Sequence, residues 1–135
     1  MSTVDLVIKG AQLPDGKTAD ICIQGESIID VTASYKGESV TTIDAKGCVV
    51  LPGLVDLHTH LREPGREDAE TVLSGSKAGA KGGFTALSAM ANTSPVADTA
   101  GVVEQVYRLG QEAGLLDVFP IGAVTQGLKG ETLSE

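Results

Sequence analysis

Tryptophan is absent from the 135-residue sequence, and the other aromatics, two Tyr and two Phe, amount to 3%. The core must therefore be assembled from Val, Ile, Leu and Ala. Positive charge is also scarce: 10 Lys and Arg face 18 Asp and Glu, for a net charge of −8. A surface of that sign repels phosphate, which argues against nucleic acid as a partner and fits anionic lipid poorly. No run approaches the roughly 18 consecutive apolar residues of a membrane span. The opening MSTVDLVIKG carries Asp5 where a secretory signal would place basic residues. There are only two cysteines, Cys22 and Cys48. Without an export signal a disulfide is not expected, and both are read as small buried apolar side chains in strands. These absences together suggest a cytoplasmic protein.

What is present falls into two rhythms. Residues 1–50 hold short period-two, β-branched runs, VDLVIKG, ADICIQG, SIIDVTA, VTTID and GCVVL, separated by PDGK, GE, YKGE and AKG. This predicts five strands in a small β-sandwich-like unit. From residue 51 to 135 the pattern lengthens. GLVDLHTHL reads as a strand, and Ala69, Val72, Leu73, Ser76 and Ala80 recur at helical spacing over Glu67–Lys81, with Glu67, Asp68 and Glu70 in the first turn. FTALSAM is a second strand. Val102, Val103, Val106, Leu109 and Ala113 mark a second helix with Asp98 as its N-cap, and LLDVFPIGAV is a third strand. Strands alternating with helices imply parallel βα units and an α/β fold. A closed (β/α)8 TIM-type barrel takes about 250 residues, so these units are expected to be about three of its eight strands, in a truncated chain.

The two histidines, His58 and His60, stand one residue apart in LPGLVDLHTHLREPG. In a strand, Asp56, His58, His60 and Arg62 share one face, and Val55, Leu57, Thr59 and Leu61 point the other way, towards covering helices. On the residues alone, the pair fits either an edge strand turned to solvent or two ligands of a metal. Titratable groups buried on a strand face need partners, and imidazoles at i and i+2 can converge on one Zn²⁺. Asp56 is read as the residue that orients an imidazole. Because a catalytic zinc takes about three protein ligands, two histidines are an incomplete set. Asn92, in ANTSP, is either a turn residue or part of the same site. DGKT lacks the upstream glycine of a phosphate loop, since that position is Ala11. GAKGGF follows a helix and reads as its C-terminal stop. Beyond Arg62, the charged run REPGRED is read as a solvated loop.

PGLVDLHTHLREPGRED, then SGSKAGAKGGFTAL, then AMANTSPVAD resemble the opening of the dihydroorotases of the amidohydrolase superfamily, and the likeness runs over nearly the whole chain. HxH alone is shared across that superfamily, whereas HLREPG, GGFT and MANT at this spacing are more specific. The resemblance implies a two-zinc centre with His58 and His60 as ligands of the more buried ion. It further implies that Arg62 and Asn92 hold the carboxylate of the substrate. The implied reaction is reversible hydrolysis of the cyclic amide of dihydroorotate to carbamoyl aspartate in pyrimidine synthesis, with zinc as Lewis acid. The bridging ligand, further histidines and general-base aspartate of the family find no counterpart here, and Lys77 and Lys81 fall on a helix. Ala91 replaces a proline common in relatives. An allantoinase or hydantoinase is the nearest alternative, and Arg62 argues against it, because those rings carry no carboxylate for it to hold. A non-catalytic dihydroorotase-like subunit or fragment is another. Implied partners are the small-molecule substrate, a second copy in a homodimer, or aspartate transcarbamoylase.

Overall fold

Short β-branched runs in the first fifty residues build one sheet, and helical spacing after it builds a layered α/β unit. The computed structural model describes residues 3–135, and the chain divides at Met1–Pro52 and Gly53–Glu135.

The first unit has four strands, β1 (Val4–Gln12), β2 (Thr18–Gln24), β3 (Ser27–Thr32) and β4 (Ser39–Asp44), in the order β3-β2-β1-β4. The β1–β2 and β2–β3 pairs are antiparallel and β1–β4 is parallel. Val4, Val7 and Cys22 form its buried cluster, with Tyr35 packed on them. The register shifts between Ile8 and Ala11, where Gly10 takes φ 71° and its N–H reaches the Asp20 carboxylate at 2.9 Å. A second N–H, from Tyr35, reaches the other Asp20 oxygen at 2.9 Å. Asp20 is buried, and these donors, Tyr35 first and Gly10 next, hold its carboxyl below the usual carboxylate range.

Two expectations fail in this unit. GCVVL is not a fifth strand: Val49 makes only an isolated bridge to Gln12. Since β1 ends at Gln12, the segment has one residue to pair with. For the same reason Cys48 is exposed, while Cys22 is buried as expected, and both thiols are free.

The second unit runs β5 (Leu54–Thr59), α1 (Val72–Lys81), β6 (Phe84–Ala89), α2 (Ala100–Ala113) and β7 (Asp117–Pro120), followed by a short 3₁₀ turn at Gln126–Leu128. The strands lie in the order β5-β6-β7, and both pairs are parallel. Leu61, Val72, Leu87, Ala89, Val106 and Val118 form the core, with Phe84, Leu109 and Leu116 packed against it. Gly110 brings α2 so close to β7 that an added Cβ would sit 2.5 Å from the Cβ of Val118.

Helix α1 begins at Val72, five residues after the expected start at Glu67. Thr71 and Ser74 exchange side-chain-to-backbone hydrogen bonds in a capping box. The acidic residues counted as a first turn precede the helix, and a turn at Arg66–Ala69 takes their place. At α2 the N-cap position is Thr99, not Asp98; the Asp98 carboxylate instead accepts the Gly127 N–H at 2.6 Å. Val55 and Leu57, expected under helices, stay 56% and 73% exposed, because α1 packs on β6 and α2, and α2 on β7.

Candidate active site

Strands β5 and β6 end side by side, tied by the Met90 N–H to the Thr59 carbonyl at 2.9 Å. The chain leaving each one carries the residues of interest. His58 lies in β5, whereas His60 and Arg62 lie beyond its last residue, Thr59. The expected common strand face therefore holds for Asp56 and His58 and breaks down after them. Leu61 turns into the core, and Arg62 adopts φ 61°. The Glu63 N–H closes on the Leu61 carbonyl at 2.8 Å, which makes Arg62 the centre of a three-residue turn. With a positive central φ, that turn belongs to the rarer and more strained kind.

The imidazoles of His58 and His60 approach edge to face, with ring centres 5.2 Å apart. His60 Nδ1 lies 2.8 Å from Asn92 Oδ1. With the amide oxygen accepting, Nδ1 carries the proton and the lone pair is left on Nε2. Asp56 does not orient an imidazole; its carboxylate accepts the backbone N–H of His58 at 3.0 Å. Arg62 is exposed. The ion pairs among the described residues are Lys17–Asp15, Arg66–Asp68 and Arg108–Glu104, so its guanidinium takes part in none of them.

The loops after β5 and β6 are joined. The Ser94 N–H donates to the Pro64 carbonyl at 3.0 Å. Gly65, at φ 102°, comes so close that a Cβ there would lie 2.1 Å from the Ser94 carbonyl oxygen. Both Glu63–Pro64 and Ser94–Pro95 are cis. Within this loop, sequence reasoning missed Glu63, assigned to a solvated run. Its carboxylate accepts the Val72 N–H at 2.7 Å, at the first turn of α1. No periodicity links residues 63 and 72, and the contact becomes visible only once the helix start is placed at Val72.

The donor set fits part of a zinc site. Bonds of about 2.0–2.1 Å to a tetrahedral ion put two imidazole centres about 5 Å apart, which agrees with the spacing of His58 and His60. Among the described residues no group of three His, Cys, Asp or Glu side chains gathers at one point. Two imidazoles alone fall short of the roughly three protein ligands that a catalytic zinc takes.

The fold itself is similar to that of solved hydrolases. L-hydantoinase (dihydropyrimidinase) from Arthrobacter aurescens superposes with a TM-score of 0.78 and 26% identity, over 91% of this chain and 28% of that one. A D-hydantoinase gives 0.65 and 25% identity, over 90% and 28%. These neighbours are members of the amidohydrolase superfamily, and the mixed α/β fold with a small β-rich N-terminal unit is the one they share. Within that class, residues 47–135 match the family described as Dihydro-orotase-like, and the chain belongs to that family. It is 59% identical to the dihydroorotase of Streptomyces coelicolor, over 96% of this chain and 30% of that one. To the dihydroorotase of Leifsonia xyli it is 58% identical, over 100% and 31%. The chain spans under a third of the length of these curated relatives.

Proposed function

We propose that the chain supplies one wall of the active site of a zinc-dependent dihydroorotase, which reversibly hydrolyses the cyclic amide of dihydroorotate to N-carbamoyl-L-aspartate in cytoplasmic pyrimidine synthesis. In this reading β5, β6 and β7 are the opening strands of a (β/α)8 barrel, in which chemistry is carried at the C-terminal strand ends. His58, His60, Arg62 and Asn92 all sit at that end of β5 and β6. Residues 1–50 form a separate small β domain.

His58 and His60 would hold the more buried of two zinc ions, with Nε2 the free donor of His60. When bound, zinc supplies Lewis-acid polarisation of the ring amide and a hydrolytic water of lowered pKa. The Asn92 amide fixes the His60 tautomer and ring angle, which is what a ligand imidazole requires of its partner. Arg62 binds the substrate carboxylate through its planar fork, and Asn92 is a second contact to the same carboxylate.

The observation that carries this reading is an exposed arginine, in none of the ion pairs among the described residues, that sits in the turn two residues after His60. A hydantoinase would share the histidines but not need that cation, since its ring substrates carry no carboxylate. In the complete gene product that carries this chain, Arg62→Ala should raise KM for dihydroorotate by about 10–100-fold, as expected for a lost charge-assisted contact of about 1.5–3 kcal/mol. His58→Ala should lose bound zinc, measured by elemental analysis, and with it activity. Retention of full zinc and rate by His58→Ala would sink the site assignment.

A further inference from the structure

We infer that Glu63 is a positioning residue for Arg62: its carboxylate anchors the turn that presents the guanidinium to substrate, rather than standing in solvent. The inference rests on the proposed reading of Arg62 as the substrate anchor. Arg62 has no glycine's freedom, yet it takes φ 61°. Such a conformation persists only where the surroundings over-determine it. On its N-terminal side the neighbour is Leu61, buried in the core. On its C-terminal side the neighbour is Glu63, whose Oε2 accepts the Val72 N–H at 2.7 Å. The Arg62 carbonyl accepts the Arg66 N–H at 2.9 Å, which closes the loop behind it. One side of the turn is therefore held by apolar burial, and the other by backbone bonds at Arg62 and Pro64 together with one side-chain anchor, the Glu63 carboxylate.

Two features make Glu63 suited to this. The start of α1 has a capping box in Thr71 and Ser74 that serves their own N–H groups and leaves the Val72 N–H to Glu63. Val72 is the first helical residue, and its N–H is one of those that no helical carbonyl can reach. A carboxylate there is also favoured by the partial positive charge of the helix end. The same bond turns the Glu63 charge towards α1. A carboxylate left loose beside Arg62 would compete with substrate for the guanidinium.

The test is a double-mutant cycle in the complete gene product, with kcat and KM for dihydroorotate measured separately. Glu63→Ala should raise KM by about 10-fold or more, with kcat changed less, because displacing a binding group by even a small distance is costly. Glu63→Gln, which keeps an acceptor oxygen at the same reach, should stay within about 3-fold of the parent, since it retains the bond to Val72. In an Arg62→Ala background, Glu63→Ala should add little, the mark of two residues acting as one. Additive effects, or an unchanged KM in Glu63→Ala, overturn the positioning role while leaving Arg62 as the anchor. An unchanged KM in Arg62→Ala overturns the anchor itself. If Glu63→Ala does not fold, Glu63→Asp, which keeps the charge and loses the reach, must show the same rise in KM; parent-like KM in that variant overturns the inference.

Discussion

Among the described residues Asp20 is one of two buried polar side chains, with Ser76, and it joins three parts of the first unit: β2, the Gly10 irregularity in β1, and Tyr35 after β3. Its folded pKa is depressed by the two N–H donors. It therefore stabilises the unit above its unfolded pKa of about 3.9, and that contribution is lost as pH falls through the lower folded value. Urea unfolding followed from pH 7 to pH 3 should show the midpoint falling below about pH 4. Asp20→Asn should cost about 2 kcal/mol at pH 7 and flatten this acid limb, because an amide oxygen accepts only one of the two N–H groups without a clash. An acid limb unchanged in Asp20→Asn would mean that other carboxylates set it.

At the scale of elements, the close approach of α2 to β7 and the cap of α1 give opposite kinds of sensitivity. Gly110→Ala improves intrinsic helix propensity by about 1 kcal/mol, yet its Cβ would meet Val118 at 2.5 Å. Overpacking of this kind typically costs about 1–3 kcal/mol, so a net loss is expected in thermal unfolding; a gain would show that α2 can move off the sheet. Thr71→Ala removes a side-chain acceptor from the start of α1 and should cost about 1 kcal/mol. Both helices and the strand bearing His58 were legible from periodicity, although in that strand the apolar positions Val55 and Leu57 stay exposed. The start of α1 was not. Glu67, Asp68 and Glu70 imitate a helical first turn, and the true cap uses Ser74 where the familiar pattern has Glu or Gln. The turn at Arg62 was equally hidden. It follows from the burial of Leu61 and from contacts of Glu63 and Pro64 with residues 9 and 30 positions away, which no local pattern records.

At the scale of the whole chain, the proposed reading supplies two zinc ligands and one substrate anchor, fewer groups than a catalytic centre needs. The 135-residue chain should take up zinc weakly in equilibrium dialysis and show no hydrolysis of dihydroorotate, because a catalytic zinc requires about three protein ligands. Turnover by this chain would mean that the two histidines suffice or that a ligand has been overlooked. The bond from the Ser94 amide to the Pro64 carbonyl, with Gly65 wedged beneath the same serine, also bears on how the site can be altered. Residues 62–66 and 92–96 behave as one cassette. Exchanging the first loop alone with that of a hydantoinase would leave Ser94 facing a foreign backbone, and directed changes of substrate range should succeed only where both loops are transplanted together.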